Sequence, residues 1–360
     1  MKIKIVFFMA NLIAGGAERV TVNIIKQLDK EKFDILLIMV SKNGIFLEEI
    51  PSHVTIINLN STKTLFSIFK FRKTIQRIKP NIIYSTMTHT SIAQYLALLG
   101  IKNKPFIVLR NPTSPKLLAQ EGGHKKSWRF LFKQSYQSAN KILAQTPEMK
   151  EELIQYYNIP SEKIDVFFNP LDIKGIAEKI KNIHNPFDNK EKINVVAAGR
   201  LTHAKAFDVL LDAFKLVIKE NNNFILHIIG QDDGKEEELK SQLKKLKLEK
   251  YVKFLGFQSN PYRFFYFSDL FVLSSRREGL PNAVLENLYL KKPIISTKCI
   301  PFMSKLINNG ENGYLVEIEN SKELAIAILK FNTLTQHGFI DHHQPSNPNI
   351  YFKELKINHA

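Results

Sequence analysis

The 360-residue sequence is poor in cysteine and lacks long apolar runs. Its only cysteine, Cys299, cannot form an internal disulfide, a CxxC redox pair or a cysteine-rich zinc site. No stretch reaches the roughly 18 consecutive apolar residues of a transmembrane helix. At 44% hydrophobic and 24% charged residues, the composition excludes wholesale disorder, a collagen helix and a coiled coil. These features predict a globular protein of two domains, soluble or peripheral to a membrane, in the reducing cytoplasm.

The N-terminus admits two interpretations. The apolar run Ile5–Ala14 after Lys2 and Lys4, with Ala14–Ala17 as a candidate cleavage site, resembles a short signal peptide. The same run also fits a buried first strand, Ile3–Met9, followed by a Gly-Gly turn and a helix. We favour the strand because apolar residues at helical spacing follow the turn directly, so the segment continues into a domain.

Acidic residues are scarce in one part of the chain. The whole sequence has 51 Lys and Arg against 34 Asp and Glu, a net charge of +17. Residues 51–147 contain fifteen of the basic residues and a single acid, Glu121, so most of the excess lies there. Such a region favours an anionic partner: nucleic acid, a membrane surface or a phosphorylated ligand. The sequence has no helix-turn-helix, RNP or zinc-finger pattern, so we expect no nucleic acid partner.

Two segments of this basic region interleave aromatic and basic residues. They are Leu65–Arg77 and Ser127–Lys133, the second of which contains Trp128 and Phe130. Basic amphipathic helices with aromatic faces suit an anionic membrane interface. In the alternative interpretation, the aromatic residues are core and the cations form a solvated face. The scarcity of acids across residues 51–147 favours the membrane, so we predict peripheral association with the inner face of the cytoplasmic membrane.

Short β-branched runs alternate with amphipathic segments along both halves of the chain. Mostly continuous apolar strands separated by helices predict two parallel-sheet α/β units. We place an N-terminal domain at residues 1–182 and a C-terminal domain at 183–330, because the intervening segment 182–192 is polar and contains Pro186. Two such sheets facing one another leave a cleft lined by the carboxyl ends of their strands. Residues 331–360 lack periodicity and are expected to form a tail.

The sharpest pattern is the segment Glu278–Glu286, EGLPNAVLE, which follows an expected strand. A glycine and a proline interrupt the chain, and Asn282 is a good N-cap for the helix that follows. The N–H groups of that first turn offer a phosphate site, while Glu278 and Glu286 can each accept hydrogen bonds from ligand hydroxyls. A ligand with hydroxylated parts on both sides of a phosphate is a nucleotide sugar. The alternative is a capped helix with two solvated acids.

A second pattern, Ala197–Asp208, follows the first expected strand of the second half. Arg200 and Lys205 lie in the loop between strand and helix, where two cations can neutralise a diphosphate, Arg with bidentate geometry and Lys as a point charge. The sequence has no D-x-D, the usual carboxylate pair for a metal-bound diphosphate, and neither G-x-G-x-x-G nor Walker A. We therefore predict that these cations and helix termini neutralise the charge, with no metal and no cofactor.

Six motifs occur in a characteristic order over about residues 1–330. They are GGAER (Gly15–Arg19), FNP (Phe168–Pro170), AAGRLTHAKAFD (Ala197–Asp208), HIIG (His227–Gly230), FLGF (Phe254–Phe257) and REGLPNAVLE (Arg277–Glu286). In these motifs the chain resembles the retaining glycosyltransferases of family 4, which have the GT-B architecture of two Rossmann-like domains facing a cleft. The resemblance is highly specific for the family and much less so for the substrate.

The resemblance implies a donor site, most of it in the second domain. Glu278 would contact the donor sugar, and Glu286 the nucleoside ribose. Arg200 and Lys205 would bind the diphosphate. The residues that would complete the nucleotide-sugar site are Gly16 in the opposite domain, Phe257 near the base, and Gly279, Leu280, Asn282, Ala283 and Val284 near the donor phosphate.

The chain departs from the family pattern at three places. Relatives often have glycine where this chain has Ala206, so a positive φ there would cost free energy. Many relatives place a histidine after the strand that ends at Arg110, where this chain has Asn111. As a catalytic residue, Asn111 could donate to the leaving oxygen or a sugar hydroxyl but could not shuttle protons. The family's terminal helix, which returns to the first domain, is not recognisable after Phe331.

The resemblance implies metal-independent, retaining transfer of a hexose or N-acetylhexosamine from a nucleotide sugar, by family frequency a UDP-sugar. The acceptor would be a glycan or a polyprenyl-diphosphate-linked saccharide in surface polysaccharide synthesis. Retention without a carboxylate nucleophile fits same-face displacement, in which Arg200 and Lys205 stabilise the departing diphosphate. The alternative is a catalytically impaired GT-B scaffold in a glycan-assembly complex, suggested by Asn111 and the unusual tail.

Overall fold

The computed structural model describes residues 2–13, 15–116, 126–188, 191–335, 338 and 345–355. Contacts divide the chain into two compact units. The N-terminal unit comprises Met1–Asp172 together with Pro345–Ala360, and the C-terminal unit comprises Ile173–Gln344. The structure thus places the boundary earlier than the predicted segment 182–192 and assigns the end of the chain to the first unit.

The N-terminal unit is built on a parallel sheet of seven strands in the order β3-β2-β1-β4-β5-β6-β7. Alternate residues of the first strand join different hydrophobic clusters, Ile5 and Phe7 one and Val6 and Phe8 the other, so both faces of the sheet are covered. The strands are β1 (Ile3–Met9), β2 (Phe33–Met39), β3 (Thr55–Asn58), β4 (Ile82–Thr86), β5 (Phe106–Arg110), β6 (Lys141–Ala144) and β7 (Ile164–Val166). The helices are α1 (Gly16–Gln27), α2 (Ile68–Ile78), α3 (Thr88–Leu98), α4 (Lys126–Ser138) and α5 (Pro147–Tyr157).

The C-terminal unit has a parallel sheet of six strands in the order β10-β9-β8-β11-β12-β13. Its strands are β8 (Ile193–Ala198), β9 (Phe224–Ile229), β10 (Val252–Gly256), β11 (Leu270–Leu273), β12 (Ile294–Thr297) and β13 (Gly313–Val316). The helices are α6 (Ile173–Lys179), α7 (Phe207–Glu220), α8 (Glu236–Lys245), α9 (Tyr262–Phe267), α10 (Asn282–Tyr289), α11 (Met303–Leu306) and α12 (Ser321–Leu329). The predicted α/β class with two parallel sheets is confirmed.

The last described helix, α13 (Pro348–Glu354), belongs to the N-terminal unit. The Asn347 side chain accepts hydrogen bonds from the N–H groups of Asn349 and Ile350, and Pro348 occupies the first turn, where its missing N–H costs nothing. This pairing of a capping asparagine with a first-turn proline starts a helix that has only seven residues.

The helix α13 docks on the sheet through aromatic side chains. Phe352 is fully buried, with ring centroids 6.4 Å from Phe7 and 6.3 Å from Tyr84. The Tyr351 hydroxyl donates to Asp165 Oδ2 at 2.8 Å. The expectation of a tail without regular structure is therefore wrong for this helix, which returns to the first unit.

Within the described part of the chain, no helix combines the length and the apolar character needed to span a bilayer.

Candidate functional site

The loop from β8 to α7 carries the two predicted cations. A short 3-10 turn, His203–Lys205, ends at Ala206, which has a φ of 51° and is buried. A left-handed conformation costs a residue with a Cβ about 1 kcal/mol relative to glycine. The positive φ anticipated at this departure from the family pattern is therefore present, and α7 begins at the next residue, Phe207.

The best defined contact of the site joins Lys205 to Glu278. Lys205 Nζ lies 2.5 Å from Glu278 Oε1, and the side chains are 24% and 12% exposed. Ser275 Oγ donates to the same carboxylate oxygen at 2.7 Å, while Ser274 Oγ donates to the backbone carbonyl of Lys205 at 2.9 Å. Two consecutive serines after β11 thus hold both the carboxylate and the backbone of the lysine that contacts it.

Two glycines let the chain pack closely beneath this lysine. A Cβ on Gly230, directly after β9, would lie 1.8 Å from the carbonyl oxygen of Gly199, directly after β8. A Cβ on Gly199 would lie 2.9 Å from Cε of Lys205. At their carboxyl ends, the two neighbouring strands are therefore in direct backbone-to-backbone contact. The aliphatic part of the Lys205 side chain lies against that backbone.

Arg276 connects the Lys205 loop to the Glu278 loop. Its Nη1 and Nη2 donate to the Asp208 carboxylate at 2.9 and 2.6 Å, and Nη1 also donates to the carbonyl of His203 at 2.7 Å. The backbone N–H of Arg276 donates to the carbonyl of Ala204 at 2.8 Å, and Nε pairs with Glu319. Burial acts to raise the pKa of Asp208, but the hydrogen bonds from Arg276 outweigh it and lower that pKa. Arg276 therefore holds the loop that carries Lys205 against the loop that carries Glu278.

Arg200 is more accessible than Lys205. Its Nη1 lies 2.8 Å from Asp233 Oδ2, and the side chains are 56% and 49% exposed. An ion pair this exposed contributes only about 0–1 kcal/mol to stability. A ligand anion can therefore replace Asp233 as the partner of this guanidinium at little cost.

The second predicted carboxylate, Glu286, lies inside α10. It is 7% exposed, and its Oε1 accepts a hydrogen bond from the Tyr262 hydroxyl at 3.2 Å. The helix begins at Asn282, and Pro281 occupies the N-cap position without a side-chain hydrogen bond. The prediction that Asn282 caps the helix is therefore wrong by one residue, since Asn282 is the first helical residue. The cap residue, Pro281, has no side-chain acceptor for the first-turn N–H groups.

The other residues of the predicted donor site differ in exposure. Phe257 follows β10 and is 40% exposed, which leaves part of its ring available to a ligand. Leu280 and Val284 are buried, whereas Gly279 and Ala283 are half-buried. The structure thus brings Lys205 and Glu278 into contact, with Arg200 in the same loop as the lysine.

The two predicted residues of the N-terminal unit have different surroundings. Gly16 is the first residue of α1, after Gly15 at the N-cap. Asn111 follows β5 and is fully buried; its Oδ1 accepts from the Tyr136 hydroxyl at 3.0 Å, and its Nδ2 donates to the carbonyl of Thr113 at 2.6 Å. Both ends of this amide hold the local structure, so donation to a ligand would require a change of partner.

Sequence reasoning missed the residues that position the site, namely Ser274, Ser275, Arg276 and Tyr262. Ser274, Ser275 and Arg276 lie between an expected strand and Glu278. This position in the sequence is the signal that could have identified them. The partner of Arg276, Asp208, lies 68 positions away, and the partner of Tyr262, Glu286, lies 24 positions away.

The surroundings of the lone cysteine disfavour its thiolate form. Burial raises the pKa of Cys299 to about 12, and the negative charge of Glu278 adds to that shift. A thiol with such a pKa is protonated at neutral pH and unreactive. In the described ranges, no group of three or more His, Cys, Asp or Glu side chains is placed to hold a metal ion.

Comparison with known proteins gives one family for the two halves of the chain. A model described as Glycosyltransferase Family 4 matches residues 14–174, and one described as Glycosyl transferases group 1 matches residues 177–337. Among similar proteins, the N-acetylgalactosamine-N,N'-diacetylbacillosaminyl-diphospho-undecaprenol 4-alpha-N-acetylgalactosaminyltransferase of Campylobacter jejuni is 26% identical over 332 residues, 89% of this chain and 88% of the relative. The UDP-Gal:alpha-D-GlcNAc-diphosphoundecaprenol alpha-1,3-galactosyltransferase of Escherichia coli is 26% identical over 357 residues, 91% and 88% of the two chains.

Among solved structures, HepE from Anabaena in complex with UDP and glucose is similar to this chain with a TM-score of 0.75. The two are 21% identical, and the match covers 91% of this chain and 89% of HepE. This likeness confirms the GT-B fold. With two parallel-sheet units, each matched by a glycosyltransferase domain model, the chain belongs to the glycosyltransferases of family 4.

Proposed function

We propose that this glycosyltransferase moves a hexose or N-acetylhexosamine from a UDP-sugar to a polyprenyl-diphosphate-linked or glycan acceptor in the assembly of bacterial surface polysaccharide. The observation that carries the proposal is the Lys205–Glu278 contact in the loops around β8 and β11, with Arg200 in the lysine loop. Two cations can bind a diphosphate, and a carboxylate can accept hydrogen bonds from sugar hydroxyls. The names of the Campylobacter and Escherichia relatives support a lipid-diphosphate acceptor, and the HepE complex supports UDP.

In the proposed reaction, the C-terminal unit holds the donor. Lys205 and Arg200 stabilise the negative charge that develops on the departing diphosphate, the electrostatic type of catalysis. Glu278, fixed by Ser275, accepts hydrogen bonds from the sugar hydroxyls. Glu286, oriented by the Tyr262 hydroxyl, accepts them from the ribose. The first turn of α10 faces the phosphate with its N–H groups.

The chemical step proceeds without a protein nucleophile. The bond between the anomeric carbon and the diphosphate oxygen breaks, and the acceptor oxygen forms its bond to the same face of the sugar. The acceptor proton passes to the departing phosphate oxygen, so charge and atoms balance and the anomeric configuration is retained. In this proposal no metal takes part, because Arg200 and Lys205 supply the positive charge.

We expect the purified protein to transfer sugar from one UDP-hexose or UDP-N-acetylhexosamine to a polyprenyl-diphosphate-linked saccharide. UDP should raise Tm more than GDP, because a ligand that binds only the folded state stabilises it. Transfer should persist in EDTA, and NMR of the product should show the anomeric configuration of the donor. Inversion would contradict the same-face mechanism, and loss of activity in EDTA would contradict metal independence.

A second candidate function is a scaffold without catalysis, which the buried, fully engaged amide of Asn111 favours. Such a protein would bind UDP or a glycan partner but would transfer no sugar. The transfer assay therefore separates the two functions: a Tm shift with UDP and no product from any donor would support the scaffold. Product formation would exclude it.

We also propose that the N-terminal unit docks on an anionic membrane, on the inner face of the cytoplasmic membrane. The structure sorts the aromatic residues of the first basic segment into two groups. Phe71 of α2 is buried, whereas Phe69 of α2 and Phe66, in the 3-10 turn before the helix, are 83% and 66% exposed. The second segment behaves similarly, since Phe130 of α4 is 62% exposed.

The exposed aromatic residues are accompanied by cations. Lys63 Nζ lies 5.9 Å from the ring centroid of Phe66, and Lys73 and Arg77 of α2 are exposed. Both α2 and α4 pack on α3, so the two basic helices cover the same face of the sheet. Exposed rings among cations suit the boundary between anionic headgroups and acyl chains.

Replacing both Phe66 and Phe69 by serine should lower binding to anionic vesicles at least tenfold, because burying one phenylalanine contributes about 1.5–3 kcal/mol. The measurement is flotation of the full chain with phosphatidylglycerol vesicles. The matched control is Ile326→Ser, which removes a 53% exposed apolar side chain from the C-terminal unit. Equal flotation of the double variant and the wild type, or equal binding to neutral vesicles, would overturn the proposed membrane interface.

A further inference from the structure

Arg110, the last residue of β5, is an unusual buried cation. Its side chain is 1% exposed, and Nη2 donates to Asn169 Oδ1 at 2.5 Å. Its Nε and Nη1 have no hydrogen-bond partner. Asn169 belongs to the FNP motif. The side chain of Asn23 in α1 contacts the same motif, because it donates a hydrogen bond to the carbonyl of Pro170 at 3.0 Å. The guanidinium thus holds the central asparagine of the FNP motif, while two of its three nitrogens have no acceptor.

The charge of Arg110 has no acidic neighbour in the part of the chain that the structure describes. Among the residues that the structure describes, no carboxylate lies within ion-pair distance of it. The ionisable groups that interact with it electrostatically are two phenols, Tyr84 and Tyr136. Burial raises the pKa of Tyr84 to about 12, so that phenol is neutral at physiological pH. Arginine keeps its proton in proteins, so a full positive charge is enclosed with no counter-charge from the described residues.

A hydroxyl on the strand next to Arg110 also lacks a partner. Thr86 of β4 stands directly opposite Arg110 in the strand register, and Tyr84 precedes it by two residues on the same face. Thr86 Oγ1 has no hydrogen-bond partner, whereas the Tyr84 hydroxyl interacts with Thr21. Hydroxyls and guanidinium nitrogens can all donate hydrogen bonds. This face of the sheet therefore presents several unused donors around one uncompensated positive charge.

An enclosed charge without a partner is strongly unfavourable, and buried charges in proteins are paired. We propose that Arg110, with the hydroxyl of Thr86, binds one small inorganic anion of the size of chloride. The ligand is small because the side chain of Arg110 is only 1% exposed, which bars a nucleotide or a lipid diphosphate from reaching it. The bound anion supplies the missing counter-charge and fixes the guanidinium against Asn169.

The test measures the Tm of the purified full chain as chloride replaces gluconate at constant ionic strength. The wild type should gain roughly 2 °C or more once chloride exceeds its dissociation constant about tenfold, because the anion binds only the folded state. Arg110→Met should lose this dependence. Arg77→Met, which removes an exposed arginine of α2, should retain it.

Crystals of the wild type soaked in bromide give a second measurement that does not depend on how a variant folds. An anomalous peak within hydrogen-bond distance of Arg110 Nε or Nη1 is expected. A water molecule there instead of bromide would overturn the proposal, as would a chloride dependence of equal size in Arg110→Met. If Arg110→Met does not fold, Arg110→Lys, which keeps the charge, should retain a weaker dependence of Tm on chloride. The bromide experiment then decides whether an anion binds at Arg110.

Discussion

Replacing Lys205 by alanine should lower kcat for sugar transfer by about 100- to 1,000-fold, the usual effect of removing one group that stabilises transition-state charge. The ammonium contacts Glu278 Oε1 at 2.5 Å, and in the proposed reaction it also faces the departing diphosphate. Its loss removes a positive charge and leaves the carboxylate of Glu278 to repel the donor phosphates. Initial rates with saturating donor and acceptor give kcat directly.

The matched control is Lys215→Ala, which removes an exposed lysine from α7 in the same unit and should leave kcat unchanged. The KM for the acceptor should change little in Lys205→Ala, because the lysine belongs to the unit that holds the donor. A folded Lys205→Ala protein with wild-type kcat would remove Lys205 from the catalytic machinery.

Gly230→Ala should destabilise the C-terminal unit by about 3 kcal/mol or more, enough to lower the yield of folded protein sharply. The added Cβ would lie 1.8 Å from the carbonyl oxygen of Gly199, and 2.7 Å from its carbonyl carbon. Backbone atoms at the ends of two paired strands cannot yield as a flexible side chain does, so β8 and β9 must move apart. Urea unfolding followed by circular dichroism measures the loss.

Gly234→Ala separates this clash from the general effect of adding a methyl group. Gly234 has a φ of 87°, but nothing lies within 4 Å of a Cβ built there. Its substitution should cost only about 1 kcal/mol, through backbone strain. Equal unfolding midpoints for the two variants would show that the strand ends adapt to the Gly230 methyl group.

The strands were predictable because their side chains are buried on both faces of each sheet. The first strand, predicted at Ile3–Met9, has those bounds in the structure, since a parallel strand covered on both faces is a continuous apolar run. The helix α13 was not predictable in the same way. It has seven residues, and its stability depends on Phe352 and Tyr351 meeting residues far away in the sequence rather than on its own periodicity.

The candidate site was predictable only in outline. Motif spacing places Lys205 and Glu278 after parallel strands, but their 2.5 Å contact depends on two loops that meet across 73 positions. The role of Arg276 depends on Asp208 and Glu319, which no local pattern connects to it. The burial of Asn111 follows from Tyr136 and Gln145, whose side chains reach it from other elements. The roles proposed for the site residues stay predictions until they are tested.

The return of α13 to the first unit has a consequence for biosynthesis. The backbone N–H of Asp29 donates to Asn349 Oδ1 across 320 positions, and Phe352 covers the rings of Phe7 and Tyr84. At a translation rate of about 5–20 residues per second, the ribosome needs roughly 15 to 60 s to synthesise the residues between them. During that interval the aromatic surface of β1 and β4 is uncovered on the nascent chain, where a chaperone that recognises apolar surface would find it.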